Sequence, residues 1–394
     1  NDIPVISSED MAGPYLVTRE QIFNVKLENP TSGATYQQIS AEVKMAGATL
    51  DTIEKIEVQN PLDDSQWAAI TPELDGSDGI KAAVGPYPAD VYFAPGKAPV
   101  LNFRITFAEV GDYETTGSLY DASGTGDPVL LASYTDTMVV KAKPTLSETG
   151  LAGPYKVGEA KTFVITMNNP TNGMAFASPK GIVELSRADG EAIVATDVTS
   201  VEVEFPYDSD NWLDLKDNTT IVGGKAVMDV GPLTGLEITV LQEMSLRYRI
   251  NFAKGGEYNV TGTLYDSAWE PDFALASLTG VMNVNDIPVI SSEDMAGPYL
   301  VTREQIFNVK LENPTSGATY QQISAEVKMA GATLGTIEKI EVQNPLDHDQ
   351  WAEITPELDG SDGIKAGVGS YPADVYFAPG KAPVLKFRIT FAEV

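Results

Sequence analysis

Three tryptophans are the residues best suited to bind a ligand in this chain. Trp67, Trp212 and Trp351 each follow a short acidic turn. A tryptophan in such a position can stack on a sugar ring, or it can anchor the start of a strand in a hydrophobic core. We favour the core interpretation, because tryptophan is usually well buried.

The acidic turns before these tryptophans, residues 63–66, 208–211 and 347–350, place carboxylates close together. Two such side chains offer the hard oxygen ligands that calcium prefers. The central glycine and the twelfth-position glutamate of an EF-hand are absent, and solvated acidic turns are common. We therefore predict no metal site and no cofactor, with calcium as the one ion that these turns, or the similar loop 75–79, could bind.

Catalytic side chains are scarce. The chain has no cysteine, and His348 is its one histidine, which removes thiolate nucleophiles, serine-triad hydrolysis and zinc sites built from these residues. Asp64 occupies the place of His348 in an earlier copy of the same sequence, so we favour a solvated turn histidine. Nothing distinguishes a carboxylate pair for glycoside hydrolysis among 56 acidic residues. We predict no catalytic residue and no enzyme activity.

Two Asn-X-Thr triplets could carry glycans. Asn218 and Asn259 begin them, whereas the similar triplet at 29–31 is blocked by its proline. The motif is short and also arises by chance, which is the interpretation that we favour. Asn218 and Asn259 remain the candidate glycan-carrying residues.

The charge of the chain excludes several partners. Lys and Arg number 26 against 56 Asp and Glu, a formal net charge of −30. Nucleic acid would be repelled along most of the surface. No apolar run approaches the length of a membrane span, so we predict no membrane insertion. Residues 1–4 lack the features of a signal peptide, and we expect a soluble, mature segment.

The sequence repeats. Residues 1–110 return as residues 285–394 with seven differences. A diverged relative lies between the copies, and all three carry Ala-Gly-Pro-Tyr, at 12–15, 152–155 and 296–299. We predict an A-B-A array of modules 1–141, 142–284 and 285–394, the last without its final strands. Such a layout is expected of a slice from a long tandem array.

Apolar and polar residues alternate with a period of two. Phe23, Val25 and Leu27 alternate with polar neighbours, and residues 101–107 and 246–252 follow the same rule. This pattern predicts half-buried strands of antiparallel sandwich sheets. Turn-forming residues separate the strands at 29–33, 75–79 and 121–124. No long stretch has a helical period, so the fold class is all-β.

Two short motifs bring a family resemblance. Residues 107–113 (FAEVGDY) with 117–121 (GSLYD), and Gly256-Glu257-Tyr258 with 262–266 (GTLYD), resemble the end of bacterial and archaeal extracellular Ig-like repeats. The resemblance implies tandem Ig-like β-sandwich modules, each with a Tyr whose hydroxyl returns to the backbone of a corner loop. The Cys…Trp…Cys spacing of antibody domains is absent, and a repeat of about 140 residues exceeds the about 100 of a typical Ig domain. The surplus is expected at 68–99, as long loops or an added hairpin.

The resemblance and the repeats lead to one functional prediction. Junctions with Pro144 and Pro288 and without a Gly/Ser tract predict a stiff rod. We expect a structural segment of a surface filament, sheath or stalk, located extracellularly or at the cell surface. The alternative is an adhesin array that binds polysaccharide or another cell through exposed loops. Expected partners are neighbouring modules or chains, with divalent cations or glycans as further candidates.

Overall fold

A computed structural model describes residues 2–60, 63–76, 79–233, 237–267, 273–345, 347–360 and 363–392. Strands provide nearly all of the regular structure, which confirms the all-β prediction. Among the described residues, no helix has both the length and the apolar character needed to cross a bilayer.

The first eleven strands form two sheets that share one hydrophobic core. The five-stranded sheet has the order β1-β3-β9-β5-β6, and the six-stranded sheet the order β2-β11-β10-β4-β8-β7. All pairs are antiparallel except β2 with β11. The elements are β1 (Val5–Ser7), β2 (Tyr15–Leu16), β3 (Glu20–Glu28), β4 (Gln38–Ala46), a 3₁₀ turn (Leu50–Thr52), β5 (Ile53–Asn60), β6 (Asp63–Ala69), β7 (Glu73–Leu74), β8 (Gly79–Pro88), α1 (Ala89–Tyr92), β9 (Val100–Phe107), β10 (Gly111–Asp121) and β11 (Val129–Lys141).

The diverged repeat has the same two sheets. Their orders are β12-β14-β20-β16-β17 and β13-β22-β21-β15-β19-β18, again around one core. The elements are β12 (Thr145–Thr149), β13 (Tyr155–Lys156), β14 (Lys161–Asn168), β15 (Pro179–Arg187), β16 (Val198–Glu204), β17 (Trp212–Asp214), a 3₁₀ turn (Lys216–Asn218), β18 (Thr219–Val222), β19 (Lys225–Val230), β20 (Glu243–Phe252), β21 (Gly256–Asp266) and β22 (Phe273–Asn285).

The second A copy has one complete and one partial sheet. The order β23-β24-β30-β26-β27 repeats the first copy, but the other sheet has three strands, β25-β29-β28, where the first copy has six. The elements are β23 (Val289–Glu293), β24 (Glu304–Glu312), β25 (Gln322–Ala330), β26 (Ile337–Asn344), β27 (Asp347–Glu353), β28 (Glu357–Leu358), β29 (Gly363–Pro372), α2 (Ala373–Tyr376) and β30 (Val384–Phe391).

The chain divides into two compact units. One comprises Asn1–Thr145, Met167–Ala177 and Gly235–Glu243, and the other Leu146–Thr166, Ser178–Thr234 and Met244–Val394. The boundaries of the three modules at 141/142 and 284/285 stay predictions.

The alternating residues lie where their period places them. Phe23, Val25 and Leu27 are buried in β3. Phe103 and Leu101 of β9 are buried opposite Phe23 and Val25. The rings of Phe23 and Phe103 stack with centroids 5.1 Å apart. In β20, Tyr248 stacks on Phe163 in the same way, at 5.1 Å. Side-chain burial on one face of each strand is therefore what selects the sheet register.

The tyrosine corner implied by the family resemblance is present. The hydroxyl of Tyr258 donates to the carbonyl of Lys254 at 2.8 Å, and that of Tyr113 to the carbonyl of Val110 at 3.4 Å. Tyr113 also stacks on Phe107, with ring centroids 5.9 Å apart. The ring is buried while its polar end reaches the backbone of the corner.

The Gly/Pro-rich stretch 68–99 is mostly regular. Of the two predicted forms, the added hairpin is observed, as β7 and β8, followed by the single helical turn α1. The 75–79 loop, a calcium candidate, lies partly outside the described residues, because 77–78 fall in a gap. Its described ends, Asp75 and Gly79, are joined by a backbone hydrogen bond of 2.9 Å.

An asparagine after β3 performs a role that the sequence pattern did not indicate. Asn29 is fully buried, and its Nδ2 donates to the carbonyls of Ala34 and Phe93 at 2.9 and 2.8 Å. The side chain therefore joins the following turn to the end of α1. A Cβ on Gly33 would lie 1.9 Å from Asn29 Oδ1, which explains the glycine at that position. Asn313 repeats the arrangement at α2, and Asn169 likewise donates to two carbonyls, those of Met174 and Thr239.

Candidate functional site

An arginine covers one face of each of the three tryptophans. The guanidinium carbon of Arg104 lies 4.6 Å from the ring centroid of Trp67. Arg104 Nε also donates to Glu57 Oε2 at 2.6 Å. Stacking and ion pairing thus fix the guanidinium between a ring and a carboxylate.

The same three-residue stack occurs once in each repeat. Arg249 lies 4.3 Å from the ring of Trp212, and Arg388 lies 4.4 Å from that of Trp351. The carboxylates of Glu202 and Glu341 bind these arginines at 2.6 and 2.7 Å. The three stacks are Glu57–Arg104–Trp67, Glu202–Arg249–Trp212 and Glu341–Arg388–Trp351.

The prediction that these tryptophans anchor the core is wrong. All three are partly exposed, and none belongs to a core cluster. Trp67 pairs with Gln59 across the hairpin, and Arg104 alternates with the buried Phe103 and Ile105. The indole therefore shares the outward face of the sheet with Arg104.

The carboxylates of two stacks have perturbed acidities. Burial acts to raise the pKa of Glu57, but hydrogen bonds from Lys55 and Arg104 outweigh it and hold the pKa below its usual value. Glu341 has a lowered pKa for the same reasons, with Lys339 and Arg388 as its donors. Folding therefore favours the ionised form of both side chains.

Acidification should weaken these stacks. Because the folded-state pKa is lowered, their stabilising contribution is present above the unfolded value of 4.5 and is lost as the pH falls through the folded value. Urea midpoints followed by tryptophan fluorescence should fall less between pH 6 and pH 3 in the variant Glu57→Gln/Glu341→Gln than in the unaltered chain. Equal losses in the two proteins would show that the stacks do not contribute.

A groove of about 260 Å³ opens beside the first stack. Its described lining combines aromatic rings and carboxamides, and none of those described residues has a charged side chain. The residues are Val58, Asn60, Gln66, Trp67, Ala68 and Tyr87. Tyr87 comes from the 68–99 stretch and Trp67 from the acidic-turn hairpin, so the two sequence candidates for ligand binding meet at one place.

Irregular strand pairing positions the aromatic walls of this groove. Between β4 and β8 the register shifts, so that Tyr87 pairs with Ile39 while Val84 pairs with Ala41. A second shift lies in the β5–β6 hairpin, next to Trp67. Such irregularities redirect side chains at a sheet edge. The second copy has the same shifts before Tyr371 and Trp351.

The other sequence candidates are not among the described residues that line the groove, although Asp63 pairs with the lining residue Asn60. Asp63 Oδ1 accepts hydrogen bonds from the backbone and the hydroxyl of Ser65, which lower its pKa. The part of the chain that the structure describes contains no group of three or more His, Asp or Glu side chains that could hold a metal. His348 is exposed, as predicted, but it lies in β27 and not in a turn. Asn218, at the end of a 3₁₀ turn, and Asn259, on β21, are also exposed.

The comparisons with known proteins give structural similarities only. No family model matches the sequence, and no curated protein matches it. Solved structures that resemble it include the C-terminal domain of the Streptococcus agalactiae AgI/II polypeptide BspA, at 12% identity and a TM-score of 0.37, covering 71% of this chain and 99% of that one. The C-terminal domain of the Streptococcus pyogenes antigen I/II-family protein AspA has 13% identity and a TM-score of 0.35, over 72% and 100% of the two chains. The B domain of a biofilm associated protein has 9% identity and a TM-score of 0.26, over 71% and 85%. Similarities at such TM-scores carry no argument about function.

Tyr87 and Asn60 are the groove residues that sequence reasoning missed. Tyr87 lies in the surplus stretch 68–99, Asn60 precedes the acidic segment 63–66, and neither belongs to a motif. One signal was available in the sequence. Both residues are retained in the second copy, as Tyr371 and Asn344, whereas nearby positions 86 and 64 differ between the copies.

Proposed function

We propose that this chain is a structural segment of an extracellular surface filament, sheath or stalk, in which it acts as a stiff rod without catalytic activity. The observation that carries the proposal is how closely one sandwich follows the next at the second junction. Asn285 is the last residue of β22, and the next residue, Asp286, already bridges to Gly317 of the second A copy.

The two sides of this junction are defined by hydrogen bonds. Asn285 pairs with Lys156 at the end of β22, and its carbonyl accepts the N–H of Val157 at 3.0 Å. The N–H of the next residue, Asp286, donates to the carbonyl of Ser316 at 3.0 Å. A single peptide bond therefore connects the diverged repeat to the second A copy.

The side chain of Asp286 adds a cross-junction bond. Its Oδ1 accepts the N–H of Gly255 at 2.9 Å, and its Oδ2 accepts the hydroxyl of Ser316. Gly255 belongs to the corner before β21, whereas Ser316 belongs to the turn after β24. One carboxylate thus contacts both repeats, which restricts bending between them.

The junction after the first copy has the same backbone pattern. The carbonyl of Lys141 accepts the N–H of Val17 at 3.1 Å, and the N–H of Ala142 donates to the carbonyl of Asn172 at 2.9 Å. Ala142 occupies the position of Asp286 and has no carboxylate to offer. We expect this junction to have the backbone restraint without the side-chain bond.

A rod of this composition would keep its copies apart. A net charge of −30 favours repulsion between chains, so lateral self-association would depend on divalent cations or on specific contacts. Glycans on the exposed Asn218 and Asn259 would add bulk to the diverged repeat in a glycosylating host. These features support a location outside the cell.

Distance measurements test the stiffness. Because the chain has no cysteine, Asp214→Cys and Glu357→Cys place spin labels at two exposed positions on either side of the second junction. We expect a single narrow distance distribution, broadened when Asp286→Ala removes the Gly255 bond and broadened most when Gly-Gly-Ser is inserted between Asn285 and Asp286. If the chain with an unaltered junction gave a distance distribution as broad as that of the insertion variant, the rod would be contradicted.

The alternative function is that of an adhesin array. The groove beside Trp67 favours it. Tyr87 of the 68–99 stretch and Trp67 of the β5–β6 hairpin line the same opening. The two functions are compatible, since a stalk that sets a distance can also carry binding sites along its length.

A further inference from the structure

We propose that the A copies bind a neutral glycan in the groove formed by Asn60, Gln66, Trp67 and Tyr87 and at the same residues of the second copy. The proposal deepens the adhesin alternative and rests on it, but it does not depend on the stiffness of the junctions. Failure of the distance test and failure of glycan binding are therefore separate results.

The lining matches the surface of a sugar. Trp67 and Tyr87 supply aromatic groups, on which the C–H faces of a pyranose ring pack. Asn60 and Gln66 supply carboxamides, which both donate and accept hydrogen bonds, as sugar hydroxyls do. An open groove of about 260 Å³ suits one unit of an extended chain rather than an enclosed small molecule.

Charge selects the class of glycan. None of the described residues that line the groove has a charged side chain, and the chain as a whole carries a net charge of −30. A uronic acid or a sulfated sugar would approach against this field, and these lining residues offer it no cation. A neutral polysaccharide meets no such barrier.

The aromatic walls are held in place before a ligand arrives. Arg104 stacks on one face of Trp67 and is itself bound to Glu57 at 2.6 Å. Tyr87 packs edge-on against Tyr92, with ring centroids 6.2 Å apart. In the second copy Tyr371 and Tyr376 make the same contact at 6.3 Å. Side chains that are already fixed lose little conformational freedom on binding.

The diverged repeat supplies an internal comparison. It keeps the arginine stack on Trp212, but Phe205 stands in the place of Asn60 and Leu233 in the place of Tyr87, as the strand registers show. The stack is therefore common to all three repeats, whereas the A copies share the asparagine and the tyrosine that line the groove and the diverged repeat has neither at these positions. The comparison therefore distinguishes a structural role of the stack from the glycan-binding role that we assign to the groove.

Saturation-transfer NMR and calorimetry on the full chain test the proposal. The probes are cellohexaose, chitohexaose and mannohexaose, with an oligogalacturonate of similar length as the acidic probe. The variant Tyr87→Leu/Tyr371→Leu copies the leucine of the diverged repeat, and Gln66→Ala/Gln350→Ala removes one carboxamide from each copy. The matched control is Leu233→Ala, which changes the equivalent position outside the A copies.

We expect at least one neutral probe to bind. The tyrosine variant should lower the affinity for that probe about tenfold or more, because one aromatic contact is lost. The glutamine variant should weaken it as well, the Leu233→Ala control should bind normally, and far-ultraviolet circular dichroism should show that each variant is folded. Binding of the acidic probe alone, equal binding by the tyrosine variant, or no binding of any neutral probe at millimolar concentration would each overturn the proposal.

Discussion

The second A copy should become as resistant to hydrogen exchange as the first when residues 111–142 are added after residue 394. The two copies provide the reason, because the same side chains are covered in one and open in the other. Ile6, Met11 and Leu16 are 6%, 0% and 0% exposed, whereas Ile290, Met295 and Leu300 are 68%, 41% and 56% exposed.

The first copy shows how the added segment would bind. There β10 pairs with β4, with Leu119 opposite Ala41, and β11 pairs with β10. The sequence of β25 is identical to that of β4, and its sheet has no strand on that side among the described residues. Burial of a large apolar side chain contributes about 1.5 to 3 kcal/mol, so three such side chains amount to about 5 kcal/mol or more.

Mass spectrometry can follow both copies in one sample. Peptides from 363–372 and 384–391 differ from those of 79–88 and 100–107 at Gly367 and Lys386, so each copy reports separately. For amides that exchange by opening of the whole sandwich, about 5 kcal/mol of added stability slows hydrogen exchange more than a thousandfold. An added segment with Asp in the place of Leu119 is the control and should give little protection. Unchanged exchange with the intact segment would show that the open face is not an acceptor for these strands.

Local patterns account for the part of the fold that the sequence predicts. Alternation in β3 and β9, the tyrosine corner and the repeat itself each depend on neighbouring residues or on direct comparison along the chain. The position of Trp67 depends instead on the strand opposite it. Its pairing with Gln59 follows an irregular register, and a shift of one residue would turn the indole to the other face. The rule that tryptophan is usually buried could therefore not predict that Trp67 lies on the outward face.

The groove and the buried asparagines escaped prediction for a related reason. Tyr87 is brought to the groove by one extra residue in β8: two residues separate Val84 from Tyr87, whereas one separates their partners Ala41 and Ile39. No period in the sequence indicates this irregularity. Asn29 reads as an ordinary turn residue, because Asn-Pro commonly begins a turn. Its second partner, the carbonyl of Phe93, lies 64 residues away. Contacts of that separation are fixed by the packed sandwich rather than by local sequence.

Replacement of Asn29 by Ala should destabilise the first copy by about 2 to 6 kcal/mol, because a buried and a partly buried carbonyl would lose their donor at about 1 to 3 kcal/mol each. Exchange of the 100–107 peptide should accelerate accordingly, while the 384–391 peptide, which reports the unaltered second copy, serves as the reference. Asn29→Asp should be no better, since a carboxylate cannot donate to either carbonyl.

The matched control for this substitution is Asn102→Ala. Asn102 also donates a side-chain hydrogen bond, to Gln59 Oε1 at 2.6 Å, but it lies on the partly exposed outer face of the sheet, and the second copy carries Lys386 in its place. Water can replace the lost partner there, so we expect a change below about 1 kcal/mol. If Asn29→Ala and Asn102→Ala had equal effects, the buried bonds to Ala34 and Phe93 would not be what holds the turn against α1. A large difference would assign that role to Asn29, and by the same geometry to Asn313 at α2.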